Sequence, residues 1–160
     1  MPAAARQKQG RMTREESMAG FGVSEAKALL EEVFAPWVVE MGLEPLELGT
    51  ATARFRLPAS QALQLKGGPG KGALCGQAIA AVADTASVLA LSGLNGRFRI
   101  CTTVAMNVNF LRPIGPSPVE ITVKVESNGR ALAATEVRLA PEGSGKTAAL
   151  ATLSFMYLED

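Results

Sequence analysis

LCGQAIAAVADTASVLAL, residues 74–91, is the stretch on which the fold turns. It is apolar or small on nearly every side and rich in alanine. A helix without a polar face must be buried on most of its circumference. A membrane span is the competing reading. Gln77, Asp84, Thr85 and Ser87 interrupt the run, whereas a span needs about twenty predominantly apolar residues. The stretch therefore reads as the central helix of a packed domain.

Beyond Gly96 the period switches to two. Val104, Met106, Val108 and Phe110 alternate with Ala105, Asn107 and Asn109. Val119, Ile121, Val123 and Val125 alternate with Glu120, Thr122, Lys124 and Glu126. Asn128-Gly129 ahead of residues 133–139 is a strong hairpin signal, and a second turn at residues 141–145 returns the chain into a last strand over 147–158. On the N-terminal side, Ser24 stands as an N-cap. Leu29, Leu30, Val33, Phe34, Trp37, Val38 and Met41 follow at helical spacing, in a helix bent at Pro36 and ending near Gly42. Leu46 to Leu57 read as two short strands around Gly49 and Thr50, and residues 66–72 (KGGPGKG) as a loop.

One apolar helix and one antiparallel sheet with an apolar face satisfy each other when the sheet wraps the helix. The expected fold class is α+β, a curved antiparallel sheet around a long central helix. Residues 1–20 read as a polar lead-in and 21–160 as one domain, since 160 residues suit one core and not two. Edge strands and leftover apolar surface point to a homo-oligomer, a dimer or a dimer of dimers.

Composition removes several function classes. The formal net charge is +1, which gives no field for nucleic acid or an anionic membrane. Two cysteines and the absence of an N-terminal apolar stretch make a reduced, cytoplasmic setting the expectation. The chain contains no histidine, so Ser-His-Asp and Cys-His mechanisms and most zinc sites are unavailable.

Asp84 is the only charged residue between Lys71 and Arg97. Burying an unpaired carboxylate is costly, which invites a functional explanation; a structural one is that Thr85, Ser87 or a loop amide bonds it. The glycine-rich loop delivers the chain to a helix start at residues 74–77, where unpaired N–H groups and the helix dipole favour negative charge. Gly76 there lets a ligand approach the backbone, although glycines before a helix are also ordinary loop residues. Residues 140–147 (APEGSGKT) imitate a phosphate loop, but a strand rather than a helix follows, so a hairpin turn is expected. Cys75 lies in the first helical turn, where thiols can be activated, yet without histidine it reads as a small packing residue.

GALCGQAIAAVADTA at residues 72–86, followed by MNVNFLRP at 106–113, resembles the PaaI-type hotdog thioesterases, over roughly residues 24–158. Their pattern is a G-x-x-H-G-G helix start, then A-D-T-A, then a strand ending in N-F-L-R-P. The resemblance implies the hotdog fold and dimers with active sites at the subunit interface. It implies Asp84 as general base or nucleophile, Gly76 as the N–H that polarises the thioester carbonyl, and Thr103 as a hydroxyl orienting water, from the neighbouring subunit. Cys75 and Gln77 occupy the positions of the family's histidine and second glycine, and the asparagine found before the helix in many members falls near Pro69 or Gly70. Gln77 is then a candidate for placing the carbonyl. Cys75, Thr85 and Arg112 are the expected substrate contacts, with Arg130 as a phosphate partner through its bidentate guanidinium; Lys66 and Lys71 are looser candidates.

The expectation is an acyl-CoA thioesterase with acyl-CoA as partner and no metal or organic cofactor. The alternative is a hotdog module that binds acyl-CoA or a small hydrophobe without turnover. A histidine-dependent dehydratase ranks behind both, and a nucleotidase last.

Overall fold

The computed structural model describes residues 20–158. The expected lead-in lies outside the described residues except for Gly20. Two short helices, α1 (Val23–Val33) and α2 (Pro36–Glu40), precede strands β1 (Glu44–Leu48) and β2 (Thr52–Leu57). The long helix α3 (Gly76–Asn95) follows, and then β3 (Cys101–Phe110), β4 (Val119–Asn128), β5 (Leu132–Pro141) and β6 (Ala149–Tyr157). The six strands form one antiparallel sheet in the order β1-β2-β4-β5-β6-β3. It is the sheet around a helix that the sequence leads one to expect.

Period-two patterning explains the core. Phe55 and Leu57 from β2, Ile121 and Val123 from β4, Val137 and Leu139 from β5, and Leu153 and Phe155 from β6 are buried on one face. They meet Ile79, Val82, Ala86 and Leu89 of α3. Among the described residues α3 is the helix long and apolar enough to cross a membrane, and its apolarity is accounted for by the sheet that buries it. Two polar side chains cross this interface: Ser87 Oγ lies 2.7 Å from Thr135 Oγ1, both buried. Thr135→Val should strand the Ser87 hydroxyl and cost about 1–3 kcal/mol, while Thr135→Val with Ser87→Ala should recover most of that loss. Urea unfolding of the single and double variants reads the difference.

Two expectations need correction, and a third holds with a turn of its own kind. The first helix is capped at Gly22, not Ser24: the Glu25 carboxylate accepts the Gly22 N–H at 2.8 Å, which holds the Glu25 pKa below its ordinary value. A cap at Ser24 would place Lys27 where an acceptor is needed. At Pro36 the helix breaks rather than bends. Ala35 is forced extended (ψ 144°) and Pro36 starts α2 afresh, so Trp37 points outward. The Asn128-Gly129 hairpin forms, but neither residue has positive φ, so the turn is not the mirror-image type that the pair usually signals. Gly129 N–H instead bonds Leu132 O at 2.8 Å. Asn128 belongs to β4, and its amide closes a ring of hydrogen bonds with Asn95 and the Tyr157 hydroxyl.

The sheet's two edges differ. β1 is five residues long, carries Pro45 and a bulge, and packs on α1, which blunts it. β3 is ten residues long and its outer side is open. The turn at residues 140–147 joins β5 to β6, and a strand follows it, as expected.

Candidate active site

Helical periodicity isolates the stripe that the sheet leaves uncovered. Gln77, Ala80, Ala81, Asp84 and Val88 recur at three- and four-residue spacing, and none of them is fully buried. Asp84 is therefore half-buried on the open side of α3, not sealed in the core. Thr85 and Ser87, offered as its structural partners, point elsewhere: Thr85 Oγ1 donates to Ala81 O at 2.8 Å, and Ser87 faces Thr135. Being buried with its hydroxyl turned back on its own helix, Thr85 is not open to a substrate.

Asp84 instead meets β3. Thr103 Oγ1 donates to Asp84 Oδ1 at 2.6 Å, within one chain. Strict alternation would not allow this, because it puts Val104 and Met106 on one face of the strand and Thr103 on the other. A bulge between Thr103 and Ala105 shifts the register against β6, so Thr103 pairs with Phe155 and Met106 with Leu153, two inward residues. The extra residue thus re-aims Cys101 and Thr103 at the helix.

Beside this pair lies a cavity of about 270 Å³. Val33 and Phe34 at the end of α1, Val88 of α3 and Phe98 form its apolar walls, and Cys101 and Thr103 share its lining with Asp84. Sequence reading missed Phe98 and Cys101 here, and no local signal marks either. Burial first, and then the Asp84 charge, push the Cys101 thiol above its ordinary pKa, with Arg99 pulling the other way. Asp84→Asn removes the carboxylate's share, so Cys101 should be alkylated faster by iodoacetamide at a fixed, mildly alkaline pH. Peptide mass spectrometry measures the rate, and an unchanged one would separate the thiol from Asp84.

The start of α3 forms a second centre. Cys75 is the N-cap, half-buried and making no side-chain cap bond, while Gln77 is exposed in the first turn. The Gly76 N–H has no acceptor among the described residues. A Cβ on Gly76 would come within 3.3 Å of the Phe110 ring, so the missing side chain lets that ring close in. Gly76, Phe110 and Arg112 line one shallow cavity of about 230 Å³. Arg112 is exposed and donates to Thr147 O at 2.6 Å. Arg130 lies elsewhere, at the β4–β5 turn, where its carbonyl accepts from Arg99. Lys66 and Lys71 are exposed on the loop before α3.

Gly76 and Asp84 are both on α3. Eight residues of helix separate them by about 12 Å, too far for both to touch one carbonyl group.

The family model for the acyl-CoA thioesterase N-terminal domain matches residues 66–156. No curated protein matches the chain. Among solved structures, a conserved protein of Pseudomonas aeruginosa is 26% identical with a TM-score of 0.70, the match covering 80% of this chain and 98% of that one. A thioesterase of Haemophilus influenzae is 20% identical with a TM-score of 0.74, over 87% and 92% of the two chains. Thioesterase superfamily member 2 of Mus musculus is 18% identical with a TM-score of 0.72, over 84% and 96%. The last two show the shared fold.

Proposed function

The chain belongs to the acyl-CoA thioesterase family described by that model, and from this premise we propose that it hydrolyses an acyl-CoA thioester to the free acid and coenzyme A. The observation that carries the proposal is the Thr103–Asp84 hydrogen bond on the open stripe of α3, at the edge of an apolar cavity. With Oδ1 held by Thr103, Oδ2 is left to accept a proton from water. The resulting hydroxide adds to the thioester carbonyl carbon, and negative charge develops on the carbonyl oxygen. The C–S bond then breaks and the thiolate of coenzyme A leaves, taking up the proton. Direct attack by the Asp84 carboxylate, followed by hydrolysis of the anhydride, gives the same products.

The oxygen needs a donor, and the uncommitted N–H of Gly76, joined by that of Gln77, is suited to it. Because Gly76 and Asp84 of one helix lie too far apart, each site takes Gly76 from one copy and Asp84 from another. The open β3 edge supports such a homodimer, as do its exposed Met106 and Phe110 and the small Ala80 and Ala81 on the uncovered stripe. Arg112, on the rim of the Gly76 cavity, offers its guanidinium to a phosphate of coenzyme A. The chemistry so described uses no metal or organic cofactor.

Thiol release from a panel of acyl-CoA substrates tests the proposal. Ligand-induced stabilisation without thiol release would mark a binding module instead.

A further inference from the structure

The cavity beside Asp84 has walls that hydrolysis itself does not require. Val33 and Phe34 come from the end of α1, outside residues 66–156 that the family model matches. Phe34 is not on a loose tail. Its N–H bonds Leu30 O at 3.3 Å, and the extended Ala35 before Pro36 fixes the corner that follows. Val88 and Phe98 face the same space.

The charge of the lining decides which end of a thioester can enter. Asp84 is the one charged residue among those that line the cavity, and none of them is a cation. Coenzyme A reaches its thioester through the pantetheine arm, whose two amides find no partner on the apolar walls, and its more distant phosphates are repelled by the carboxylate. The acyl group is what this space can hold. Its size then sets a limit. A dry cavity of about 150 Å³ takes one benzene ring, and here the volume is about 270 Å³. One ring with a short linker fits, as does a short branched chain. An extended fatty chain exceeds that volume, and Phe34 is one of the two aromatic walls it would press against.

We infer that the α1 corner, with Phe34 as its main side chain, bounds the acyl pocket and restricts the enzyme to thioesters of compact apolar acyl groups. Phe34 is thus a specificity-determining residue that lies outside the matched residues 66–156. The inference rests on the acyl-CoA reading above.

The test compares butyryl-, benzoyl- and lauroyl-CoA. In the parent, kcat/KM for the two compact substrates should exceed that for lauroyl-CoA at least about tenfold, within the range that apolar pockets achieve. Phe34→Ala should raise the ratio of lauroyl to butyryl turnover at least about tenfold, and Phe34→Trp should lower it further. A flat parent profile would overturn the inference, and so would a ratio that neither variant moves. If the parent releases no thiol from any substrate, the hydrolase reading fails separately. The pocket is then read by calorimetry with non-hydrolysable ketone analogues of the same three thioesters. Tighter binding of the compact analogues, with the order compressed in Phe34→Ala, supports the inference; equal affinities in parent and variants defeat it.

Discussion

Replacing Asp84 by Asn should lower acyl-CoA hydrolysis by about 10²–10⁴-fold, the range expected when a general base is removed. The fold should survive. Asp84 lies on the uncovered stripe of α3, and an asparagine of the same shape still offers an oxygen to the Thr103 hydroxyl. What disappears is the oxygen that can take up a proton or attack. The unfolding temperature should therefore change little while turnover collapses. Thr103→Val gives the contrast, since it removes one hydrogen bond to Asp84 but leaves the carboxylate. A loss of about tenfold, equivalent to a hydrogen bond of about 1–1.5 kcal/mol, is expected there. Steady-state kinetics with thermal unfolding of both variants makes the comparison. Parent-like turnover in Asp84→Asn would sink the assignment of Asp84.

The large elements were legible because each rests on periodicity. An apolar helix implied a wrapping sheet, and the alternation in β4, β5 and β6 placed Val123, Val137 and Phe155 on its inner face. Asp84 stood out as one charge in an apolar run, a one-dimensional signal. What the sequence hid was three-dimensional. The bulge at Val104 carries no glycine or proline to announce it, yet it switches the residues of β3 that precede it, so that Cys101 and Thr103 face the helix, and it turns Thr103 to Asp84 in its own chain. The cavity walls were hidden for a related reason. Phe34 and Phe98 lie 64 residues apart and meet only because α1 and the segment entering β3 converge on one side of α3. Capping was misjudged at Ser24 because the deciding residue was the acceptor at Glu25, one turn into the helix.

Gly76→Pro should cost about 10²–10³-fold in turnover, the effect of deleting one oxyanion donor, and its partner experiment tests whether two copies share a site. Proline suits this position for three reasons. Gly76 is the first residue of α3, where the missing N–H breaks no helical bond. Cys75 before it already has φ −69° and ψ 148°, the conformation that a following proline demands. The Phe110 ring, which a new Cβ would approach to 3.3 Å, need give way only slightly to admit it. The helix should therefore persist without its donor. Gly76→Pro and Asp84→Asn chains are then refolded together in equal amounts. Random pairing makes about half the dimers mixed, and each mixed dimer holds one site with Gly76 from one chain and Asp84 from the other. About a quarter of parental activity should return from two inactive proteins. If Gly76 and Asp84 worked within one chain, every site in the mixture would carry a defect and nothing would return. The outcome thus reads the 12 Å helical separation of the two residues as chemistry.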